Sequence, residues 1–137
     1  MLAVFSVGCA HTPVAAAAVT VPAGWPSPAD DYLDGHIDLS HHLIPRPAAT
    51  FLVRASGWSM RDAGIHDRDE LIVDKSMAAR DGNIVIAVVD GDFLVKRLRL
   101  HPVPRLEAAH PDFADIDLAG REVLIWGVVT CVLHHTV

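Results

Sequence analysis

One segment in the second half of the chain constrains the fold most strongly. Ile84–Val89 is apolar at every position, which predicts a strand that is buried on both faces. Asp90-Gly91 follows, and a second strand-like run extends over 93–100. Asp-Gly favours a two-residue hairpin turn because both central positions adopt positive φ. The sequence therefore predicts an antiparallel hairpin within a β domain.

Other segments of the chain fit the same fold class. Three further runs have the apolar character of strands, over 50–55, 71–74 and 123–133, and Gly127 predicts a bulge or bend in the last of them. A short helix or turn is expected within 30–43, and a helical turn over 59–63, closed by Gly64. Strands outnumber helices, so we expect a mainly β domain with short helices.

The first 29 residues differ in character from the rest. The chain has 137 residues, and no Asp, Glu, Lys or Arg precedes Asp30. The apolar runs are too short for a membrane span, which needs about 20 apolar residues, and no positive charge precedes them as in a secretory signal. We interpret 1–29 as a flexible arm and 30–137 as the folded domain, and we expect a cytoplasmic protein without membrane contact.

The net charge argues against a DNA-binding protein, and the pattern of cysteines and histidines argues against a metalloprotein. The net charge is −6, whereas surfaces that bind nucleic acid phosphates are usually basic, so direct sequence-specific DNA binding is not expected. Cys9 and Cys131 form no CxxC pair and favour a reducing compartment. The nine histidines include the adjacent pairs His41-His42 and His134-His135, expected on opposite sides of a strand, and none has a zincin spacing. No metal or cofactor is expected.

Lys96 lies on an unexpected face of the predicted hairpin. With Asp90-Gly91 as the turn, Lys96 is opposite Val85, and alternation places it among leucines. One interpretation is that the stem packs on apolar surface while the amine reaches water. The other is a desolvated amine, whose lowered pKa would make it a general base.

Ser59 lies where a base of this kind would find a nucleophile. It follows Gly57 between a predicted strand and a helical turn, where backbone N–H groups could stabilise an oxyanion. Ser59-Met60-Arg61-Asp62 also matches a capping box, in which Ser59 would only cap the turn.

Several motifs, taken together in order and spacing, carry a family resemblance. They are Gly24-Trp25-Pro26-Ser27-Pro28, Ser56-Gly57-Trp58-Ser59-Met60, Asp67-Arg68-Asp69-Glu70-Leu71, Gly82-Asn83-Ile84-Val85, Asp90-Gly91-Asp92-Phe93-Leu94-Val95-Lys96 and Trp126-Gly127-Val128-Val129. Over about residues 20 to 133 the chain resembles the UmuD family of SOS mutagenesis proteins. That family belongs to the Ser-Lys self-cleaving peptidases, peptidase S24, which include the LexA repressor.

The resemblance implies a function and a site. Ser59 would be the nucleophile, Lys96 the base and Ala23–Gly24 the bond cut, with family-like separations of 36 and 37 residues between these positions. Cleavage would be stimulated by a RecA–single-stranded DNA filament. The trimmed homodimer would join a UmuC-type polymerase subunit in error-prone translesion synthesis. The implied fold consists of coiled β-sheets like those of LexA and signal peptidase.

Three residues depart from the family pattern, and other functions stay open. Trp58 and Asn83 replace acidic residues, and Arg68 replaces a glycine, which questions the geometry of that turn. The main alternative is a structural subunit of a polymerase complex whose peptidase is idle. A LexA-like repressor is less favoured, because about 23 mostly uncharged residues do not form a helix-turn-helix. A signal peptidase is disfavoured because no membrane segment is predicted.

Overall fold

A computed structural model describes residues 3–6, 13–17, 23–24 and 33–137. The strands are β1 Ala3–Ser6, β2 Pro13–Ala17, β3 Leu33–Asp38, β4 Thr50–Arg54, β5 Glu70–Asp74, β6 Ile84–Val89, β7 Asp92–Arg99, β8 Arg105–Glu107, β9 Ile116–Asp117 and β10 Val123–Leu133. The helical elements are α1 Leu39–Leu43 and two 3₁₀ helices, Pro47–Ala49 and Arg61–Ala63. The mainly β fold class is confirmed.

Eight strands form one antiparallel sheet in the order β1-β4-β5-β10-β6-β7-β8-β9. The strands β2 and β3 form a separate two-stranded antiparallel sheet. The chain divides into two compact units, Gly8–Pro45 and Met1–Val7 with Arg46–Val137. The boundary predicted between 29 and 30 lies outside the described residues, and the flexible arm stays a prediction; the described part of 1–29 includes β1 and β2.

The predicted hairpin is confirmed in register and in turn conformation. β6 and β7 pair so that Val85 is opposite Lys96. Asp90 and Gly91 both have positive φ, 48° and 89°, as a two-residue hairpin turn requires. The chain therefore reverses where the Asp-Gly pair predicted.

The core packs on both faces of β6. Val85 and Ile86 are neighbours in sequence and both are inaccessible to solvent, yet they belong to different core clusters. One cluster consists of Val53, Ala55, Met60, Ile65, Leu71, Val73 and Ile86. The other consists of Val85, Ala87, Val89, Leu98, Leu106 and Val128. Burial on both faces accounts for the unbroken apolar run in this strand.

The terminal strand β10 has the predicted bounds and the predicted irregularity. Its pairing with β6 shifts register between Ile125 and Gly127, which is the signature of a bulge. A Cβ atom at Gly127 would meet Val73 Cγ1 at 2.5 Å. Glycine is therefore favoured here because any larger residue would overlap the Val73 side chain.

Several local predictions need correction. The short helix expected within 30–43 is present as α1, but it is preceded by the strand β3, which was not predicted. His41 and His42 lie in α1 rather than on a strand. The short strands β8 and β9 were not predicted. The helical turn after Ser59 is confirmed, and Gly64 ends it with φ 83°.

Among the described residues, no helix combines the length and the apolar character needed to cross a membrane.

Candidate active site

Lys96 carries its amine into the interior from the middle of β7. The residue is only 7% exposed, so most of the side chain is removed from water, unlike that of a snorkelling lysine. Burial lowers the pKa of Lys96 because it disfavours the ammonium form, while the Asp115 carboxylate acts in the opposite direction. The net direction is downward, which favours a neutral amine.

Ser59 lies in the turn between β4 and the 3₁₀ helix Arg61–Ala63. Two backbone hydrogen bonds with Ala109 fix this turn: Ala109 N donates to Ser59 O (2.7 Å), and Asp62 N donates to Ala109 O (2.8 Å). Gly57 has φ 88°, and its N–H donates to Asp67 Oδ1 (2.8 Å). The serine therefore sits on a tightly anchored turn.

The structure brings Ser59 and Lys96 together. Their side chains are hydrogen bonded, with 2.6 Å between Lys96 Nζ and Ser59 Oγ. The capping interpretation of Ser59 is wrong, because Met60 occupies the cap position of the 3₁₀ helix and no side chain caps it. A hydroxyl and a buried amine at this distance can exchange a proton directly.

A cleft of about 160 Å³ opens onto this pair. Its walls come from the Ser59 turn and from β7, and Ile65, which follows the turn, also lines it. The lining residues are Ala55, Ser56, Gly57, Ser59, Met60, Ile65, Phe93, Leu94, Val95 and Lys96. Within the described part of the chain, the N–H groups of Ser59 and Met60 donate no hydrogen bond to the protein. Backbone N–H groups without a protein acceptor are suited to stabilise an oxyanion.

A loop that the sequence did not single out also borders the amine. Lys96 Nζ lies 5.8 Å from the centre of the Phe113 ring, and the His110 ring packs edge-on against Phe113 at 5.1 Å. This loop also carries Asp115. No hydrophobic periodicity marks it, so only the fold reveals that it lies beside Lys96.

The other predicted positions are as follows. Ala23 and Gly24 lie in a bend of the Gly8–Pro45 unit and both are exposed. Lys75, the other of the chain's two lysines, lies over aromatic rings, with its Nζ 4.7 Å from the Trp126 ring centre. Arg68 has φ 71°, so the arginine adopts the left-handed conformation that a glycine would favour.

Trp58 and Asn83 are the other two residues that depart from the family pattern. Trp58 is 48% exposed, and its ring packs against His66 at 5.7 Å. Asn83 stabilises the turn before β6, because its Oδ1 accepts a hydrogen bond from Arg80 N (2.8 Å).

Known proteins share this domain. Residues 14–130 match the family described as Peptidase S24-like. Protein ImpA of Salmonella typhimurium is 49% identical over 116 residues, which cover 83% of this chain and 79% of that protein. Protein MucA of Escherichia coli is 43% identical over 120 residues, with coverage of 85% and 82%. The LexA repressor of Vibrio parahaemolyticus is 38% identical over 119 residues, which cover 85% of this chain and 57% of the repressor. The chain therefore belongs to the S24-like peptidase family, as its resemblance to the UmuD family predicted.

Proposed function

We propose that the chain is a self-cleaving serine peptidase that cuts its own Ala23–Gly24 bond, with Ser59 as the nucleophile and Lys96 as the general base. The hydrogen bond of 2.6 Å between Ser59 Oγ and Lys96 Nζ carries the proposal. A buried amine with a lowered pKa is suited to remove a hydroxyl proton, because a larger fraction of it is neutral at a given pH.

The proposed reaction has two halves. Neutral Lys96 takes the proton of the Ser59 hydroxyl as Oγ attacks the Ala23 carbonyl carbon. The N–H groups of Ser59 and Met60 stabilise the oxyanion that forms. Lys96 then returns the proton to the Gly24 nitrogen, which leaves as a new N-terminus. Water, deprotonated by Lys96, hydrolyses the acyl-serine and restores the hydroxyl.

The chemistry of the bond supports this assignment. Ala23 has a small side chain and Gly24 has none, so an extended segment containing them fits a narrow cleft. Both residues are exposed, as a cleavable segment should be. The bond belongs to the same chain as the nucleophile, and a tethered substrate has a high effective concentration. A modest catalyst is then sufficient for a single turnover.

We extend the proposal to the SOS response. Membership of the S24-like family and the UmuD-type motifs support stimulation of cleavage by a RecA–single-stranded DNA filament in the cytoplasm. In the same proposal the trimmed chain forms a homodimer that joins a UmuC-type polymerase subunit in translesion synthesis. Neither DNA nor a cofactor would contact the chain directly for cleavage.

Intact-mass measurements on the purified full chain test the cleavage. Incubation at alkaline pH, where more of the amine is neutral, should yield a fragment that begins at Gly24. At neutral pH the same fragment should accumulate when RecA, ATP and single-stranded DNA are added. Lys75→Ala is a matched control that removes the other lysine, and it should cleave like the wild type.

Two variants test the roles of Ser59 and Lys96, and the wild type itself distinguishes this proposal from a subunit whose peptidase is idle. Ser59→Ala and Lys96→Met should each abolish the fragment, and Lys96→Met keeps the apolar stem so that the fold is preserved. Cleavage by Ser59→Ala would show that the nucleophile is wrong. Absence of product from the wild type under both conditions would establish the idle subunit.

A further inference from the structure

A second cluster of chemically active side chains lies outside the Ser59–Lys96 pair. His66, Asp69 and His134 each offer one ligating atom, and these atoms lie within 4.8 Å of one another. The residues come from two distant segments: His66 and Asp69 belong to the turn before β5, and His134 follows the end of β10. The antiparallel pairing of β5 with β10 brings them together.

The cluster is organised around the Asp69 carboxylate. Asp69 is only 3% exposed. Its Oδ2 accepts a hydrogen bond from the backbone N–H of His66 (2.8 Å), and its Oδ1 lies 2.6 Å from Nδ1 of the His134 ring. The two imidazole rings meet edge to face, with centres 4.9 Å apart. The buried Asp69 carboxylate therefore lies close to two imidazole rings, and it is hydrogen bonded to that of His134.

The donor set has the chemistry of a transition-metal site. Two imidazole nitrogens and one carboxylate oxygen suit Zn²⁺, whereas Mg²⁺ and Ca²⁺ prefer oxygen ligands alone. Ligands around a tetrahedral zinc ion are roughly 3.3 Å apart, given metal–ligand distances of about 2.0–2.1 Å. Because the His134 side chain is 49% exposed, it has room to move from its 2.6 Å hydrogen bond with Asp69 Oδ1 to this spacing. We propose that His66, Asp69 and His134 form a binding site for a divalent transition metal of the zinc class, with its fourth position open to water.

The site would tie two regions of the larger unit together. Bound metal would join the residues after β10 to the turn before β5. That turn is hydrogen bonded to the segment leading to Ser59, since Ala55 N donates to Asp69 O (2.8 Å) and Arg68 N donates to Ala55 O (2.9 Å). Trp58 packs against His66 in the same region. The inference is independent of the peptidase proposal.

Calorimetric titration of the metal-stripped full chain with ZnCl₂ tests the site. We expect saturable binding of one Zn²⁺ per chain. His134→Ala and His66→Ala should each weaken binding by more than about tenfold, since even the loss of an outer-shell partner costs about 10–100-fold. The matched control is His135→Ala, which removes the adjacent histidine; His135 Nε2 lies 2.6 Å from Glu70 Oε1, and the residue is not part of the cluster. This control should bind like the wild type.

Cobalt provides a second readout that does not depend on affinity alone. Co²⁺ in a site with two imidazoles and a carboxylate should give intense visible d–d bands in the wild type and in His135→Ala, and these bands should be absent in His134→Ala. Circular dichroism of each variant establishes that it is folded. The proposal is overturned if the wild type shows no saturable binding, if His134→Ala binds as tightly as the wild type, or if His135→Ala loses binding equally.

Discussion

At the scale of single residues, the reactivity of Lys96 depends on two opposed influences. Burial removes water from the ammonium group and lowers its pKa, and the Asp115 carboxylate partly restores it. The carboxylate is itself engaged elsewhere, because it pairs with Arg105 at 3.4 Å and accepts a hydrogen bond from Ala108 N. Asp115 is therefore placed to adjust the pH range in which the amine is neutral.

Asp115→Asn should move the pH–rate profile of self-cleavage to lower pH. The substitution removes the negative charge that favours the ammonium form, so the pKa of Lys96 falls further and more neutral amine is present at a given pH. An asparagine keeps an oxygen that can accept from Ala108 N. Rates measured by mass spectrometry across the pH range check this, and they should increase at pH values below the wild-type midpoint.

A second aspartate in the same loop controls for general effects of charge. Asp112 is highly exposed, so solvent screens its charge far more than a buried one. Asp112→Asn should therefore leave the midpoint unchanged. A shift of Asp115→Asn to higher pH, or equal shifts in both variants, would contradict the assignment.

The sequence alone identified some of these residues and missed others for a physical reason. Strand alternation and hairpin register placed Lys96 on an apolar face, and the glycine before Ser59 marked the turn. Phe113 and Asp115 lie on a loop without periodicity, and His66 and His134 are brought together by the pairing of distant strands. Neither contact leaves a local pattern in the sequence.

At the scale of elements, β10 holds the large sheet together. It lies between β5 and β6 and pairs with both. Its bounds were predicted from its long apolar run, and so were those of β6. The strands β8 and β9 have three and two residues, so they are too short for an alternating pattern to identify them.

Gly127→Ala should destabilise the protein through this strand. The new methyl group would overlap the Val73 side chain, at 2.5 Å from Cγ1, and lie 3.4 Å from the Asp74 carbonyl oxygen. Overpacking of this kind lowers the free energy of unfolding by about 1–3 kcal/mol. Urea unfolding followed by circular dichroism measures the change.

A substitution at an exposed position of the same strand gives the comparison. Leu124 is 59% exposed, so Leu124→Ala should change the free energy of unfolding by less than about 0.5 kcal/mol. If Gly127→Ala were as stable as Leu124→Ala, the strand would have room at the bulge and the close approach to β5 would not explain the glycine.

At the scale of the whole molecule, the proposed substrate bond and the catalytic pair belong to different compact units. The chain passes from one unit to the other between Pro45 and Arg46. Arg46 is anchored where the larger unit resumes, because its Nε donates to Asp74 Oδ2 on β5 (2.6 Å). Ser76 donates to Asp74 Oδ1 through its N–H and its hydroxyl. One buried carboxylate thus fixes Arg46 to the main sheet of the larger unit.

This carboxylate should make the stability of the protein sensitive to acid. Burial by itself raises the pKa of Asp74, but the hydrogen bonds from Ser76 and Arg46 outweigh it, and the pKa lies below its ordinary value of 3.8. In the unfolded chain Asp74 becomes protonated first as the pH falls. Its ionised form therefore stabilises the fold above about pH 4, and this stabilisation is lost as the pH falls through the lower, folded-state pKa.

Asp74→Asn should accordingly lose about 1–3 kcal/mol of unfolding free energy at neutral pH, and its difference from the wild type should narrow below about pH 4. Urea unfolding at a series of pH values measures both effects. Asp92→Asn is the matched control, since Asp92 is an exposed aspartate at the start of β7, and it should follow the wild type throughout. A constant difference between Asp74→Asn and the wild type across the acid range would mean that the Asp74 interactions stabilise the fold without depending on its charge.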